Sequence, residues 1–191
     1  MKQIAAVLFF AICLSCQSGT TTENQPVTAL KTKGESVNSA VFNSAFKTCL
    51  GQYYALKNAF IDEKMPEIDS AAAALQKSIL ILPLKEIKAD TTQKAANILI
   101  ESIVAELKGL SGETDIEEKR KAFQMIGEQF LVLISKVQYD YEIIYNQYCP
   151  MAMDNNGATW LSESADIKNP YLPKTMLECG EVKDTLNFVS N

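Results

Sequence analysis

The feature that most limits the fold of this chain is a helical repeat of apolar residues in four separate stretches. Apolar side chains recur every three or four residues, which places them on one face of an α-helix. The stripes are Phe42, Phe46, Cys49, Tyr53, Leu56 and Phe60; Ile68, Ala72, Leu75, Ile79 and Leu82; Ala96, Leu99, Ile103, Leu107 and Leu110; and Phe123, Ile126, Phe130, Leu133, Val137, Tyr141 and Ile144. Amphipathic helices joined by short connections are typical of antiparallel bundles. The sequence therefore predicts an all-α fold, an antiparallel four-helix bundle.

The ends of the predicted helices carry residues that stop or start a helix. Pro83 closes the second helix, because proline lacks the N–H and clashes with the preceding turn. Asp90 or Thr91 is the predicted N-cap of the third helix. The fourth helix opens with Asp115 and Glu118 in the spacing of a capping box.

The pattern changes near residue 146, and residues 146–191 are named the cap here. Asn156-Gly157 lies between two short apolar stretches, which is typical of a two-residue type I′ hairpin turn. A segment of this length needs a staple, a metal or another surface to be stable. We expect an irregular cap with a β-hairpin, folded against the bundle through Trp160 and Tyr171.

Residues 1–16 have the features of an export signal. Lys2 precedes an apolar run over residues 4–14, which is too short to span a bilayer. The run ends in Cys13-Leu14-Ser15-Cys16, which resembles a bacterial lipobox with Cys16 as the lipid-bearing residue. An ordinary signal peptide cut nearby is the alternative. Both predict that the mature chain leaves the cytoplasm.

The rest of the composition limits domain count and function. Residues 17–38 are rich in Ser, Thr, Gln and Asn and are predicted to be a flexible tether, which leaves residues 39–191 as one domain. The net charge of −5 and the lack of a basic stripe argue against nucleic acid as a partner. We expect no enzyme, since the chain has no histidine, no Gly-rich phosphate loop and no nucleophile elbow.

Sulfur-bearing side chains gather near both ends of the cap. Cys149 precedes Met151 by two residues, and Met176 precedes Cys179 by three. Thiolates and thioethers are soft ligands that favour Cu(I) or Ag(I). The spacing indicates a sulfur site in which the two cysteines and these two methionines hold the ion. Met153 is a possible additional ligand.

A disulfide is the alternative use of the same cysteines. Exported proteins meet an oxidising compartment, and a Cys149–Cys179 bridge closing a loop of about 30 residues would add roughly 3–4 kcal/mol. Spacing alone leaves the metal site and the disulfide both open. Cys49 lies on the first helical stripe and is predicted to be a buried core residue.

Six motifs carry a resemblance that covers nearly all of residues 40–185. They are Tyr54-x-Leu56-Lys57-x-Ala59, Arg120-x-x-Phe123, Tyr145-x-x-Tyr148-Cys149-Pro150-Met151-Ala152, Trp160-Leu161-Ser162, Ile167-x-Asn169-Pro170-Tyr171 and Met176-Leu177-x-Cys179-Gly180-Glu181-Val182. Together they resemble a domain of unknown function from Gram-negative envelope proteins. That domain occurs alone in small lipoproteins and is also appended to the periplasmic adaptor subunits of CusB-type copper/silver efflux pumps. The resemblance implies metal handling, with such an adaptor as the partner.

A shorter resemblance is to small heavy-metal-binding domains on metal-pumping ATPases. It rests on Cys149-Pro150-Met151, Pro173-Lys174 and Cys179-Gly180. One position departs from the pattern of that small domain: Ala152 replaces the histidine that follows Cys-Pro-Met, which removes a histidine ligand. A second departure is from the larger envelope-protein family, in which a glycine usually stands at the position of Pro173, in the loop before Met176.

Two functions are compatible with these features. The leading prediction is an outer-membrane lipoprotein that faces the periplasm, touches the membrane only through its lipid anchor, and binds Cu(I) or Ag(I). It would buffer the metal or pass it to an efflux adaptor. The alternative is a non-metal interaction module with a Cys149–Cys179 bridge, in which Trp160, Pro170 and Tyr171 are candidate contact residues, although burial is the expected fate of the tryptophan.

Overall fold

The computed structural model describes residues 36–189, so Cys16 and the predicted export signal lie outside the described residues. Four long helices come first: α1 (Ala40–Asp62), α2 (Met65–Leu80), α3 (Asp90–Gly112) and α4 (Ile116–Val137). A small sheet follows, made of β1 (Ile144–Cys149), β2 (Ala158–Ser162) and β3 (Glu181–Leu186). A 3₁₀ turn at Leu84–Glu86 and the short turn α5 (Ala152–Asn155), in which Met153 and Asp154 have left-handed backbone angles, complete the elements. The four predicted helices are confirmed.

The helix starts show how the sequence sets the element boundaries. The Ser39 hydroxyl accepts a hydrogen bond from the Phe42 N–H at the start of α1 (3.1 Å). The Asp115 carboxylate accepts from the Glu117 and Glu118 N–H groups at the start of α4 (2.8 and 3.1 Å). Each acceptor satisfies an N–H that has no partner inside its helix. The predicted capping role of Asp115 is confirmed. The predicted N-cap of the third helix is wrong, since α3 begins at Asp90 with Ala89 in the N-cap position and no side chain caps it.

The end of α4 corrects the sequence prediction. The helix stops at Val137, and Gln138 turns into the left-handed region (φ 50°). Tyr141 is exposed and Ile144 opens β1, so neither extends the helical stripe. The spacing of these two residues matches a helix by coincidence, because short apolar runs fit both periodicities. The sheet therefore begins two residues before the predicted start of the cap.

An aromatic cluster joins α1 to α4 in the core. The ring of Tyr53 stacks on Phe123 and contacts Phe130, with centroids 5.4 and 5.2 Å apart. Phe60 contacts Phe123 at 4.9 Å. Along the chain α1 packs on α2, α2 on α3 and α3 on α4, and β2 lies against α4. Offset and tilted aromatic pairs at these separations add to the burial of apolar area.

The sheet has the strand order β2-β1-β3, with both neighbouring pairs antiparallel. Cys149 at the end of β1 pairs with Ala158 at the start of β2, so the predicted hairpin is confirmed. The predicted two-residue turn is wrong, since the connection runs over residues 150–157 and Asn156 has a negative φ (−79°). β3 was not predicted, because five of its six residues are exposed and its sequence shows no apolar alternation.

Candidate functional site at the disulfide end of the cap

Cys149 and Cys179 form a disulfide. Cys149 ends β1, and Cys179 lies two residues before β3, the strand that pairs with β1. Their Cα atoms are 5.8 Å apart, within the range that a bridge requires. Since each sulfur is bonded to the other, neither is a free thiolate in this form. Both sequence interpretations, the sulfur metal site and the disulfide, required the two cysteines to lie close together. In this structure they form the disulfide.

The methionines divide into two exposed residues and one packed residue. Met151 and Met176 are 45% and 41% exposed. The Met176 carbonyl accepts from the Cys179 N–H (3.0 Å), so a tight turn joins Met176 to the bridged Cys179. Met153 is partly buried against the core. A four-sulfur metal site would first require reduction of the bridge, and the metal site stays a prediction.

The buried amide of Asn169 holds the segment that leads to Cys179. Its Oδ1 accepts from the N–H groups of Tyr171 and Leu172 (2.8 and 3.1 Å), and its Nδ2 donates to the Cys179 carbonyl (3.0 Å). Its own N–H donates to the Leu177 carbonyl (2.8 Å). One side chain therefore fixes the backbone on both sides of the exposed residues 176–178.

Gly180 explains why the motif pairs a cysteine with a following glycine. A Cβ at this position would lie 2.9 Å from the Tyr148 carbonyl oxygen and 3.0 Å from the Trp160 ring. The residue also has a φ of +146°, which side chains rarely adopt. Glycine lets the chain pass between β1 and the tryptophan immediately after the bridge.

Trp160, Tyr171 and Pro170 are buried, so their proposed role as contact residues is wrong. The Trp160 and Tyr171 rings pack edge to face at 6.0 Å, and Tyr171 also contacts Phe123 of α4 at 6.0 Å. The Tyr171 hydroxyl donates to the Thr159 carbonyl (2.8 Å). The prediction that Trp160 and Tyr171 anchor the cap on the helices agrees with these contacts.

Arg120 forms one polar link between α4 and the cap. It is buried, and its Nε donates to the Pro170 carbonyl (3.1 Å). Its guanidinium also pairs with Glu117 on its own helix and with Glu63 at the end of α1 (2.9 Å for Glu63). Glu63 also pairs with Lys174 of the cap. Hydrogen bonds from Lys174 and Arg120 hold the pKa of the Glu63 carboxyl below its usual value.

Lys57 makes a second link of the same kind. Its buried ammonium donates to the Ser162 hydroxyl at the end of β2 (3.3 Å) and pairs with the carboxylate of Glu163, the next residue (2.7 Å). The helix motifs containing Lys57 and Arg120 are thus in contact with the cap motifs containing Ser162 and Pro170. The contacts of Lys57 and Arg120 with these cap residues hold the cap against the helices.

Two groups of residues near the site were missed by sequence reasoning. The Gln147 side chain is buried and donates from Nε2 to the Ser164 and Asp166 carbonyls (2.9 and 3.1 Å), tying β1 to the following loop. Leu177 and Val182 are 39% and 38% exposed beside the bridge. A buried glutamine and two exposed aliphatic residues have no distinctive sequence pattern, so no signal identified them.

Cys49 is buried in the core, as predicted. Burial raises the pKa of its thiol to about 12, against a smaller opposing effect of a hydrogen bond with Ser78. The thiol is therefore protonated at neutral pH and poorly nucleophilic. Cys49 does not join the bridged pair.

Within residues 36–189, no three Cys, Asp or Glu side chains group closely enough to hold a metal ion. No helix in the same range is both long and apolar enough to cross a membrane.

No curated protein and no solved structure matches the chain. A family model matches residues 49–142, from the middle of α1 to the segment before β1. Lys57 and Arg120 lie inside this stretch, while Cys149 and Cys179 lie outside it. Over these residues, just under half of its length, the chain carries a domain of unknown function, described as "Protein of unknown function (DUF3347)".

Proposed function

We propose that this chain is a non-catalytic docking module of the cell envelope. A lipid on Cys16 holds it at the outer membrane, and residues 17–38 let the domain reach into the periplasm. The four helices form an antiparallel bundle that supports the cap. The end of the cap around the Cys149–Cys179 bridge is the docking surface.

The observation that carries this proposal is that exposed apolar residues flank both bridged cysteines along the chain. Met151, Met176, Leu177 and Val182 each lie two or three residues from a bridged cysteine, and each is 38–45% exposed. These four residues are named the bridge patch. Clustered exposed apolar side chains mark interaction sites more often than scattered ones. A disulfide beneath them also suits an oxidising compartment, which agrees with the predicted export signal.

The resemblance suggests the partner. The similar domain occurs both alone and attached to CusB-type adaptors, so a free copy has a natural place beside such an adaptor. We propose that the bridge patch docks onto a periplasmic efflux adaptor. The fixed cap would then act as a recognition surface and would need neither catalysis nor metal binding.

Site-specific photo-crosslinking in the cells that produce the protein tests the docking function. A photoreactive residue replaces Leu177 in the bridge patch, and a matched variant carries it at Val132 of α4, which is similarly exposed (45%). We expect one crosslinked partner at position 177, lost when both bridged cysteines are changed to serine. No crosslink at 177, or the same crosslinks at both positions, would show that the patch is not a docking surface.

Soft-metal binding is the second candidate function. It is favoured by the position of the Met151 and Met176 thioethers, which are exposed next to the bridged cysteines. Reduction of the bridge by a dithiol would give two thiols, and four sulfur donors would then be available to Cu(I) or Ag(I). In this reading the module buffers the ion or passes it to the adaptor.

A Cu(I) titration of the reduced protein against a chromophoric chelator tests this candidate. We expect one equivalent of Cu(I) to be withdrawn from the chelator. Cys149→Ser with Cys179→Ser should abolish the effect, while Cys49→Ser should leave it unchanged, because Cys49 is buried in the core. Absence of competition by the reduced protein, or an unchanged affinity of the Cys149→Ser, Cys179→Ser variant, would exclude the site.

A further inference from the structure

One end of the helices brings together the start of α1, the connection before α3 and the end of α4. The Asn38 side chain, two residues before α1, donates to the Val137 and Gln138 carbonyls at the end of α4 (2.8 and 3.2 Å). Lys88, just before α3, and Lys136 of α4 line one cavity with Asn38. Three segments that are distant in the sequence therefore meet at this end.

The end of α2 lies in the same region. α2 ends at Leu80, and the 3₁₀ turn Leu84–Glu86 that follows packs on both α1 and α3. Leu80 lines one groove with Leu84. Ile87, one residue after the turn, lines the same cavity as Asn38. We name these parts together the proximal end: residues 36–41, 80–94 and 136–138.

Four aliphatic side chains of the proximal end are exposed. Val37 and Val41 are 49% and 61% exposed, and Leu80 and Ile81 are 60% and 72% exposed. Ile81 is the most exposed large apolar side chain of residues 36–189. Contact of such side chains with an apolar phase removes apolar area from water and is favourable.

The proximal end is basic, although the whole chain has a net charge of −5. Its charged side chains are four lysines and two carboxylates, all exposed: Lys85, Lys88, Lys94, Lys136, Glu86 and Asp90. None of the four lysines forms an ion pair with another residue of the described range 36–189. Lysines beside exposed aliphatic side chains are typical of surfaces that bind anionic lipid.

The polar links between the cap and the helices lie toward the other end. The cap pairs with Lys57 and Glu63 toward the end of α1, and with Arg120 near the start of α4. Arg120 lies 17 residues before the last residue of α4, which is about 25 Å along a helix. A surface that meets the proximal end therefore leaves this side of the cap free.

The proximal end is also where the chain leads toward the predicted lipid anchor. Cys16 precedes Ser36, the first described residue, by 20 positions. A flexible chain of that length has an average span of roughly 25 Å. A lipid on Cys16 would keep the proximal end within such a distance of the bilayer, where a high effective concentration makes weak contacts sufficient.

The geometry points to an anionic lipid surface as the partner of the proximal end. This inference rests on the lipid anchor in the function proposed above, and it adds a contact of the folded domain to the attachment through lipid alone that the sequence predicts. Leu80 and Ile81 enter the boundary between headgroups and acyl chains, while Lys85 and Lys88 meet the headgroup phosphates. A second copy of the chain fits less well, because it would bring two basic ends together. The contact orients the domain with the cap directed away from the membrane.

Quenching of tryptophan fluorescence by brominated lipid tests the contact. Protein purified with its lipid anchor is placed in vesicles of brominated phosphatidylcholine and phosphatidylglycerol, and in matched vesicles without bromine. Ile81→Trp puts a reporter in the proximal end, and Met125→Trp puts one at an exposed position of α4 (44%), 12 residues before the helix end. The native Trp160 is buried and supplies a constant background. We expect the added tryptophan at position 81 to lose about half of its fluorescence, from a depth of roughly 5–10 Å, and the one at position 125 to lose none.

Charge variants test the part of the lysines. In the Ile81→Trp protein, Lys85→Gln with Lys88→Gln should reduce the quenching about twofold or more. Lys168→Gln with Lys183→Gln removes the same charge from exposed lysines of the cap and should leave the quenching unchanged. Vesicles of brominated phosphatidylcholine alone should quench less, since they lack anionic headgroups. No quenching at position 81, equal quenching at both tryptophan positions, or equal quenching with and without phosphatidylglycerol would overturn the inference.

The mass of the peptide containing Cys16 and the crosslink at position 177 distinguish this inference from the docking function. A lipid on Cys16 without quenching at position 81 overturns the inference and leaves the docking function standing. Quenching at position 81 in a protein without that lipid removes the proposed anchor, while the contact of the proximal end with lipid stands. No crosslink at position 177 removes the docking function, whatever the quenching shows.

Discussion

At the scale of single residues, the loop between β1 and β2 holds an unusual run of backbone. Met153, Asp154 and Asn155 have φ values of 53°, 56° and 67°, all in the left-handed region. This conformation costs roughly 1–2 kcal/mol for an ordinary residue, less for Asn and Asp, and nothing for Gly. The loop therefore stores strain that the hairpin contacts on either side offset.

Asp154→Gly is expected to raise the free energy of unfolding by about 0.5–1 kcal/mol, because glycine adopts positive φ without strain. Asp154 is exposed, so the change removes no packing. Asp154→Ala is the matched control and should lower stability, since alanine tolerates positive φ less well than aspartate does. Urea unfolding measures both. A glycine variant less stable than the alanine variant would contradict the reading of this loop.

Gly180 offers a second prediction at this scale. Gly180→Ala should destabilise the protein by about 2 kcal/mol or more, through overpacking against Tyr148 and Trp160 and through its positive φ. Gly109→Ala in α3 is the control. Its added Cβ meets no atom within 4 Å, and alanine there should stabilise the helix by roughly 0.5–1 kcal/mol. Thermal unfolding should move in opposite directions for the two variants.

At the scale of elements, Glu63 joins the end of α1 to both α4 and the cap. Pairing with Lys174 and Arg120 lowers the pKa of Glu63 in the folded protein. The stabilisation that Glu63 provides is therefore fully present above its pKa in the unfolded chain, about 4.3. It is lost as the pH falls through the lower pKa of the folded protein. Glu63→Gln should therefore be less stable than the unaltered protein at pH 7, with the gap closing toward pH 3.

Urea unfolding over that pH range checks the role of Glu63. Asp62→Asn is the control, because Asp62 is exposed and makes only a loose ion pair with Lys64 (3.8 Å). It should change stability little at any pH. A gap between Glu63→Gln and the unaltered protein that stays constant from pH 7 to pH 3 would show that the carboxylate does not hold these elements together.

The elements differ in how well the sequence predicts them. The helices are predicted because one face of each is buried, which leaves the repeat of residues such as Phe46, Tyr53 and Phe123. The end of α4 was misplaced because Tyr141 and Ile144 continue that spacing after the chain has left the helix. β3 was missed because it is held by backbone bonds to β1, and such bonds leave no mark in the side-chain sequence.

At the scale of the whole molecule, the disulfide closes the cap. Changing Cys149 and Cys179 to serine should lower the free energy of unfolding by about 3–4 kcal/mol, as expected for a separation of 30 residues. Amide exchange should become faster in residues 163–180 than in the four helices. A dithiol reductant should have a similar effect on the unaltered protein and none on the double variant. Unchanged stability of the unaltered protein under reductant would contradict the staple.

The site was partly predictable from sequence. The meeting of Cys149 with Cys179 follows from their positions in a short segment, and both a disulfide and a sulfur metal site were compatible with it. Trp160 and Tyr171 are buried and so are not available as contact residues. Their burial depends on which helices the cap packs against, and the sequence does not show this. Leu177 and Val182 became candidates only through their exposure beside the bridge. Exposure is a property of the folded surface that no local pattern encodes.

The measurement that most directly tests the account is the redox state of the cysteines in the protein taken from its native cells. Free thiols are trapped with an alkylating reagent at the moment of lysis, and peptides are identified by mass spectrometry. We predict a Cys149–Cys179 bridge, with Cys49 alkylated only after denaturation because it is buried. Recovery of Cys149 and Cys179 as alkylated free thiols would contradict the staple and favour the sulfur metal site.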